Sequence, residues 1–256
     1  MQDSRKLIVA NWKMEPQTRL EAVALMRKIA KKARALEHAR AVVCPPAVFL
    51  SVWKKAAGAP SCALGAQDVF WEDRGAHTGE ISPFMLTDAG ATYVLVGHSE
   101  RRARGDTDDM IEKKLRAVLA HGLTVILCVG EKVRDEEGGY LRVVEGELRS
   151  ALQKVGKDAL SHVVIAYEPV WAVGQGAHRA DTPGEFFEMS IFIKKIVGKM
   201  FGTNVAHAVR VLYGGSVDEK NAGGFLKEGN ADGLLVGRAS LDAKKFSAIL
   251  DVAEKA

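Results

Sequence analysis

"LIVANWKM", from Leu7 to Met14, is four apolar residues that stop abruptly at an asparagine, a tryptophan and a lysine. The apolar run is too short for a helix and reads as a strand buried on both faces. The residues just after this strand decide the fold. An open, doubly wound sheet usually carries a glycine-rich turn after its first strand, where a dinucleotide's phosphates sit. No glycine stands here. A closed barrel of parallel strands makes no such demand and gathers its chemistry at the C-terminal strand tips.

A barrel needs seven further strands, and the chain offers seven. "AVVCP" from Ala41, "CALGA" from Cys62 and "YVLVG" from Tyr93 come first. "TVILCVG" from Thr124, "VVIAY" from Val163, "VRVLYG" from Val209 and "GLLVG" from Gly233 complete the set. Helical patterns lie between them. Ala22, Leu25, Met26, Ile29, Ala33 and Leu36 repeat along one face, with Glu21, Lys28 and Lys32 opposite. Thr182-Pro183-Gly184-Glu185 is a capping box with proline in the first turn, opening a helix that runs to about Met200. Met110 to Leu119 and Ala243 to Ala253 repeat in the same way. No linker or shift in composition interrupts the alternation. The expectation is an α/β chain forming a single (β/α)8 barrel, one domain over residues 1–256.

Composition narrows the function. The chain of 256 residues is 47% hydrophobic and 27% charged, the balance of a soluble globular protein. A net charge of +4 suits an anionic small substrate; basic residues interleaved with acids do not form a nucleic-acid surface. The densest basic run, Arg27 to Arg34, falls on the polar side of an amphipathic helix and reads as a solvated face. Cys44, Cys62 and Cys128 have neither disulfide-framework nor zinc spacing and sit in apolar runs, as small core residues do. With no apolar leader and no membrane-length run, the expected setting is cytoplasmic, without contact with membrane or nucleic acid.

The strand tips, read in order, carry Asn11 and Lys13, Cys44-Pro45-Pro46, Gln67 and Asp68, and His98-Ser99-Glu100. Gly130-Glu131, Glu168, Gly214-Gly215-Ser216 and Gly237-Arg238 follow. Asn11 and Lys13 stand two residues apart, which on a strand points both to the same side. A lysine, a histidine and a glutamate thus face two glycine-containing seats for an anion. Taken alone, a histidine or a glutamate at a strand end is more often structural; together with a lysine they are a chemical set. The other six histidines form no HxH or HExxH spacing, so no metal and no cofactor are assigned.

"NWKM", "CPP", "GAQD", "GAHTGEIS", "VGHSERR", "CVGE", "YEPVWAVG", "YGGSV" and "DGLLVGRASL" fall at these tips in an order that resembles the triosephosphate isomerase family over nearly the whole chain. The resemblance implies a TIM barrel and the interconversion of a ketose and an aldose triose phosphate through an enediolate. It makes Glu168 the base, His98 a neutral electrophile, and Lys13 with Asn11 the stabilisers of charge. Glu100 would hold Lys13, and Ser99 belongs to the same "GHSER" turn. Phosphate would sit on Ser216, Gly237, Arg238 and Gly174. Trp171, resting on Glu131, would anchor a lid that closes over the ligand, with Tyr213 beneath it. Closure would exclude water and hold the enediolate planar.

The family likeness also implies a homodimer, formed through the Asp68–Gly79 loop with Thr78 at its tip. That loop carries Val69, Phe70 and Trp71, read as exposed and hence as an interface. The lid sequence "GQGAHRADTP" is two residues longer than the family's usual one. The extra length keeps a related tetrulose phosphate (erythrulose phosphate) open as substrate. A barrel that binds phosphometabolites without turnover is the alternative from another class.

Overall fold

The computed structural model describes residues 4–56, 62–172 and 181–256. Its eight strands are β1 (Lys6–Asn11), β2 (Ala39–Cys44), β3 (Cys62–Ala66), β4 (Tyr93–Val96), β5 (Thr124–Val129), β6 (Val163–Tyr167), β7 (Arg210–Tyr213) and β8 (Gly233–Val236). All are parallel and pair in chain order. The ring closes where β8 meets β1, with Leu7 opposite Gly233 and Ala10 opposite Val236. This is the closed (β/α)8 barrel that the alternating pattern and the glycine-free first turn imply.

Helices occupy the connections: α1 (Arg19–Ala33), α2 (Trp53–Ala56), α3 (Pro83–Ala89), α4 (Ser99–Arg102) and α5 (Asp108–Ala120) in the first half. The second half adds α6 (Gly139–Leu152), α7 (Pro183–Phe201), α8 (Thr203–Ala208), α9 (Ala222–Lys227) and α10 (Ala243–Glu254).

Alternation explains why each strand is apolar throughout. Leu7 and Val9 pack with Val42, Leu95 and Ile126 in one cluster inside the ring. Ile8 and Ala10, their neighbours in sequence, join the larger cluster between strands and helices. A strand with two dry faces has no position for a polar side chain until it reaches its tip. Each large side chain so buried contributes roughly 1.5–3 kcal/mol, offset in good part by the entropy of ordering the chain.

Local signals agree. Thr18 and Glu21 cap α1 reciprocally, and Thr182 and Glu185 do the same for α7, each cap contributing about 1 kcal/mol. On α1, Arg27, Lys28 and Lys31 are exposed opposite buried Ala22, Met26 and Ile29, so the basic run is a solvated face. The Glu254 carboxylate accepts the N–H groups of Glu37, His38 and Ala39, fastening the end of α10 to the start of β2. Cys44, Cys62 and Cys128 are buried and free, and burial pushes the Cys62 thiol up to about 12.

One expectation needs correction. Val69 is buried, not exposed, and Phe70 and Trp71 are only half open. Their rings lie 4.1 Å apart, tilted by 30°, His77 lies 4.5 Å from Phe70 and the Lys113 ammonium lies 5.6 Å over Trp71. His77 of the loop and Lys113 of α5 cover part of these rings, while Thr78 at the loop's tip is exposed.

Candidate active site

At the C-terminal end of the ring the strand tips enclose a hollow of about 820 Å³. Asn11, Lys13, His98, Glu100 and Glu168 form one side of it; Ser216, Gly237 and Arg238 form the other.

Lys13 lies beyond the end of β1, with φ at 54°. Strand alternation is therefore not what aims it, contrary to the expectation that set Asn11 and Lys13 on the same side of one strand. A left-handed backbone costs a lysine of order 1–3 kcal/mol and persists only where its surroundings hold it. Here the Lys13 N–H donates to Asn11 Oδ1 at 3.0 Å, and its carbonyl accepts from Gln67 Nε2 at 2.8 Å. Gln67 also donates to the Cys44 carbonyl at 2.9 Å, tying the tips of β1, β2 and β3 together. The sequence offers one signal for this role, a polar side chain placed directly after a buried strand. The Lys13 ammonium is held 2.6 Å from Glu100 Oε1.

His98 caps the short helix α4, and its Nδ1 accepts the Glu100 N–H at 3.2 Å. A neutral ring so placed carries its proton on Nε2. That nitrogen faces Glu168 Oε1 at 3.1 Å. Burial lowers the proton affinity of the ring, but the charge and hydrogen bond of Glu168, with the charge of Glu100, together outweigh it, so at rest it stands above the ordinary histidine value.

Glu168 is only 3% exposed. Its Oε2 accepts the Ser99 N–H at 3.0 Å. Burial works to raise its pKa, yet the His98 ring, the Ser99 N–H and the Lys13 charge outweigh that and hold it below the ordinary carboxylate value. Two glycines make room for it. A Cβ on Gly130 would fall 1.9 Å from the Glu168 carbonyl oxygen, and one on Gly214 would fall 2.9 Å from its Cγ. The backbone is fixed as well, since the Glu168 N–H donates to the Val129 carbonyl at 2.8 Å.

Behind the base, buried Glu131 receives three donors. Trp171 Nε1 lies at 2.7 Å, the Tyr167 hydroxyl at 2.8 Å and Arg134 Nη1 at 3.2 Å from the same oxygen. Tyr213 is buried and stacks on Phe225 at 3.6 Å; it does not line the hollow. Ser99 acts here through its backbone, and Thr78 is remote in its loop. Gly174, together with His178 and Arg179, lies outside the described residues.

At the anion end, Arg238 begins a 3-10 turn, Arg238–Leu241, without a positive φ, so a side chain is tolerated there. The Ser216 carbonyl is held by Asn221 Nδ2 at 2.8 Å. Lys245, in the first turn of α10, also lines the hollow. Sequence reasoning misses it because one lysine in a helical turn looks like any other. Among the described residues no cluster of three or more His, Cys, Asp or Glu side chains could hold a metal ion.

The geometry is thus a carboxylate and an imidazole in contact, an ammonium beside them, and Ser216, Gly237 and Arg238 across the hollow. Comparison with known proteins gives the same direction. The sequence model described as "Triosephosphate isomerase" matches residues 6–253. A protein named triosephosphate isomerase from Thermoanaerobacter pseudethanolicus is 42% identical over 249 residues, covering 96% of this chain and 99% of its own. Relatives of the same name from Caldanaerobacter subterraneus (43%, covering 96% and 99%) and Roseiflexus (44%, covering 95% and 96%) are similar to the same extent. The chain belongs to the triosephosphate isomerase family.

Proposed function

We propose that this chain interconverts dihydroxyacetone phosphate and D-glyceraldehyde 3-phosphate by moving one proton between adjacent carbons through an enediolate. The observation that carries the reading is the 3.1 Å contact between Glu168 and His98 beside Lys13, across one hollow from Ser216, Gly237 and Arg238, whose amides we assign to the phosphate.

The phosphate rests on those amides, which leaves the carbonyl oxygen near His98 Nε2, Asn11 and Lys13. That oxygen takes the Nε2–H in place of Glu168. Once its carboxylate leaves the Ser99 N–H and His98 for the substrate carbon, it loses the donors that held its pKa down, and exclusion of water raises its basicity further. The same movement removes from His98 the charge that favoured an imidazolium. Burial and the Glu100 N–H then keep the ring neutral, as a hydrogen-bond donor to the forming oxyanion. Glu168 takes the proton from one carbon and returns it to the next, while His98 Nε2 gives its proton to the carbonyl oxygen and takes one from the neighbouring hydroxyl, so no co-reactant is needed. The base contributes roughly 10²–10⁴ in rate, and each preorganised donor roughly 10²–10³.

We assign the whole of residues 1–256 to one domain, working in the cytoplasm as a homodimer. A groove of about 530 Å³ beside Lys13, lined by Met14, Pro46 and Gln67, is the proposed seat of the partner's loop with Thr78 at its tip. Met14 is 80% exposed and Phe84 63%, an apolar surface suited to being covered. Trp171, fixed by Glu131, is the anchor of the lid.

The test is exchange of the substrate's C1 proton with solvent deuterium, run beside turnover of glyceraldehyde 3-phosphate and of erythrulose phosphates. Exchange together with triose preference is expected. Binding without exchange would sink the catalytic reading, and tetrulose preference the substrate assignment.

A further inference from the structure

We propose that a second cavity, behind Glu168 and separate from the hollow, binds a small phenolic molecule, an aromatic ring carrying one O–H donor. It lies between the loops that follow β4, β5 and β6 and measures about 330 Å³. An apolar cavity of about 150 Å³ suffices for a benzene ring, so this one takes a substituted ring.

The walls are mostly apolar. Val129, Tyr140 and Val170 form the interior, and Val133 and Val143 stand at the mouth, 67% and 47% exposed. Large apolar residues left open around an apolar cavity with a few polar groups inside are the marks of a ligand site.

The polar groups decide which ligand. Glu131 already receives Trp171, Tyr167 and Arg134. Asp135 caps the Gly139 and Tyr140 N–H groups at 2.6 and 3.0 Å. Glu147 is different. Its Oε2 accepts the Gly130 N–H at 2.9 Å, but among the described residues its Oε1 has only Arg102 Nη1 at 3.5 Å, too far for a sound hydrogen bond. Arg102 cannot come closer without giving up the Gly97 carbonyl at 3.0 Å and Asp108 at 2.7 Å. Burial pushes the Glu147 carboxyl up to about 7, as expected of an oxygen poorly supplied with donors. Arg102 Nη2, on the same wall, is buried without a hydrogen-bond partner among the described residues, so the cavity carries one poorly supplied acceptor and one unpaired donor in a mostly apolar surround. A neutral O–H on a ring donates to the first and accepts from the second without carrying a charge out of water.

Occupancy is linked to the reaction centre. Glu147 holds Gly130, whose backbone abuts Glu168, and both Ser99 and Glu168 line this cavity. Binding itself is independent of the isomerase reading, so it is measured directly.

The experiment is saturation-transfer NMR of phenol on the intact protein, with inorganic phosphate in excess to occupy the hollow. Phenol is expected to bind at millimolar concentration with phosphate present. Benzene, lacking the donor, should bind about 3- to 10-fold more weakly. Ala103→Trp, at the cavity wall, should reduce phenol binding by about tenfold or more by filling the space that the ring needs. Glu147→Met should erase the difference between phenol and benzene; if that variant does not fold, the comparison on the unaltered protein still decides. The proposal is overturned if phenol gives no signal at about 10 mM, if phosphate displaces it, if benzene binds equally well, or if the Ala103 variant binds as before.

Discussion

Glu147→Gln separates the charge of this carboxyl from its shape. The substitution keeps an acceptor for the Gly130 N–H and removes the ability to ionise. In the unfolded chain a glutamate titrates near 4.5; in the fold, burial raises Glu147 to about 7 against the opposing pull of Arg102. The interval from 4.5 to about 7, at 1.36 kcal/mol per pH unit, amounts to about 3 kcal/mol. The sign depends on which state holds the proton more tightly, and that is the folded one. The stabilisation is complete below pH 4.5 and is lost as pH rises through about 7. Glutamine, neutral throughout, escapes the loss. Urea unfolding of both proteins at equal concentration, from pH 5 to pH 9, is the assay. The variant should gain on the unaltered protein by up to about 3 kcal/mol across that range, with m unchanged. A difference that stays flat with pH would refute the reasoning, because it would mean that Glu147 titrates alike in both states.

Four further outcomes are expected. Glu168→Gln should lower kcat roughly 10²–10⁴-fold with the circular dichroism spectrum unchanged; a smaller loss would mean another base. Lys13→Met should lower kcat/KM by roughly 10²–10³ in the steady-state assay, since the Lys13 charge acts on both His98 and Glu168. Gly130→Ala places a methyl 1.9 Å from the Glu168 carbonyl oxygen and must shift the base; displacement of about 1 Å costs roughly 10²-fold in kcat, with KM little changed. In the pH profile of kcat/KM, Glu168 is already ionised above its ordinary 4.5 and resting His98 titrates above the ordinary histidine value, so a limb near pH 6 belongs to the substrate phosphate, whose second pKa is about 6. Movement of that limb in Glu168→Asp would contradict the assignment.

The sequence was legible wherever a requirement was local. A strand dry on both faces must be apolar from end to end, so all eight could be read directly, and Thr182 with Glu185 announced α7 because a cap needs those two residues three apart. Asn11, Lys13, His98, Glu100 and Glu168 stood out only as a set, because one polar residue at a strand tip is more often structural and the family's order of motifs was needed to join them. The rest depended on chain geometry that no spacing encodes. The left-handed turn that aims Lys13 is set by Gln67, more than fifty positions away. The partial covering of Phe70 and Trp71 arises from His77 and Lys113, so their exposure was overstated. Lys245 reaches the hollow only because α10 begins beside β8. The cavity holding Glu147 is assembled from three separate loops, none unusual alone.

The seam between β1 and β8 has a consequence for synthesis. Leu7, in the first strand, leaves the ribosome early, yet its partner Gly233 is made more than two hundred residues later. Until then β1 has one neighbour and an open row of amides and carbonyls, the kind of edge that recruits strands from other chains. Nascent chains crowded on one messenger are therefore most exposed to cross-pairing along "LIVAN", and that hazard ends only when the last strand seats.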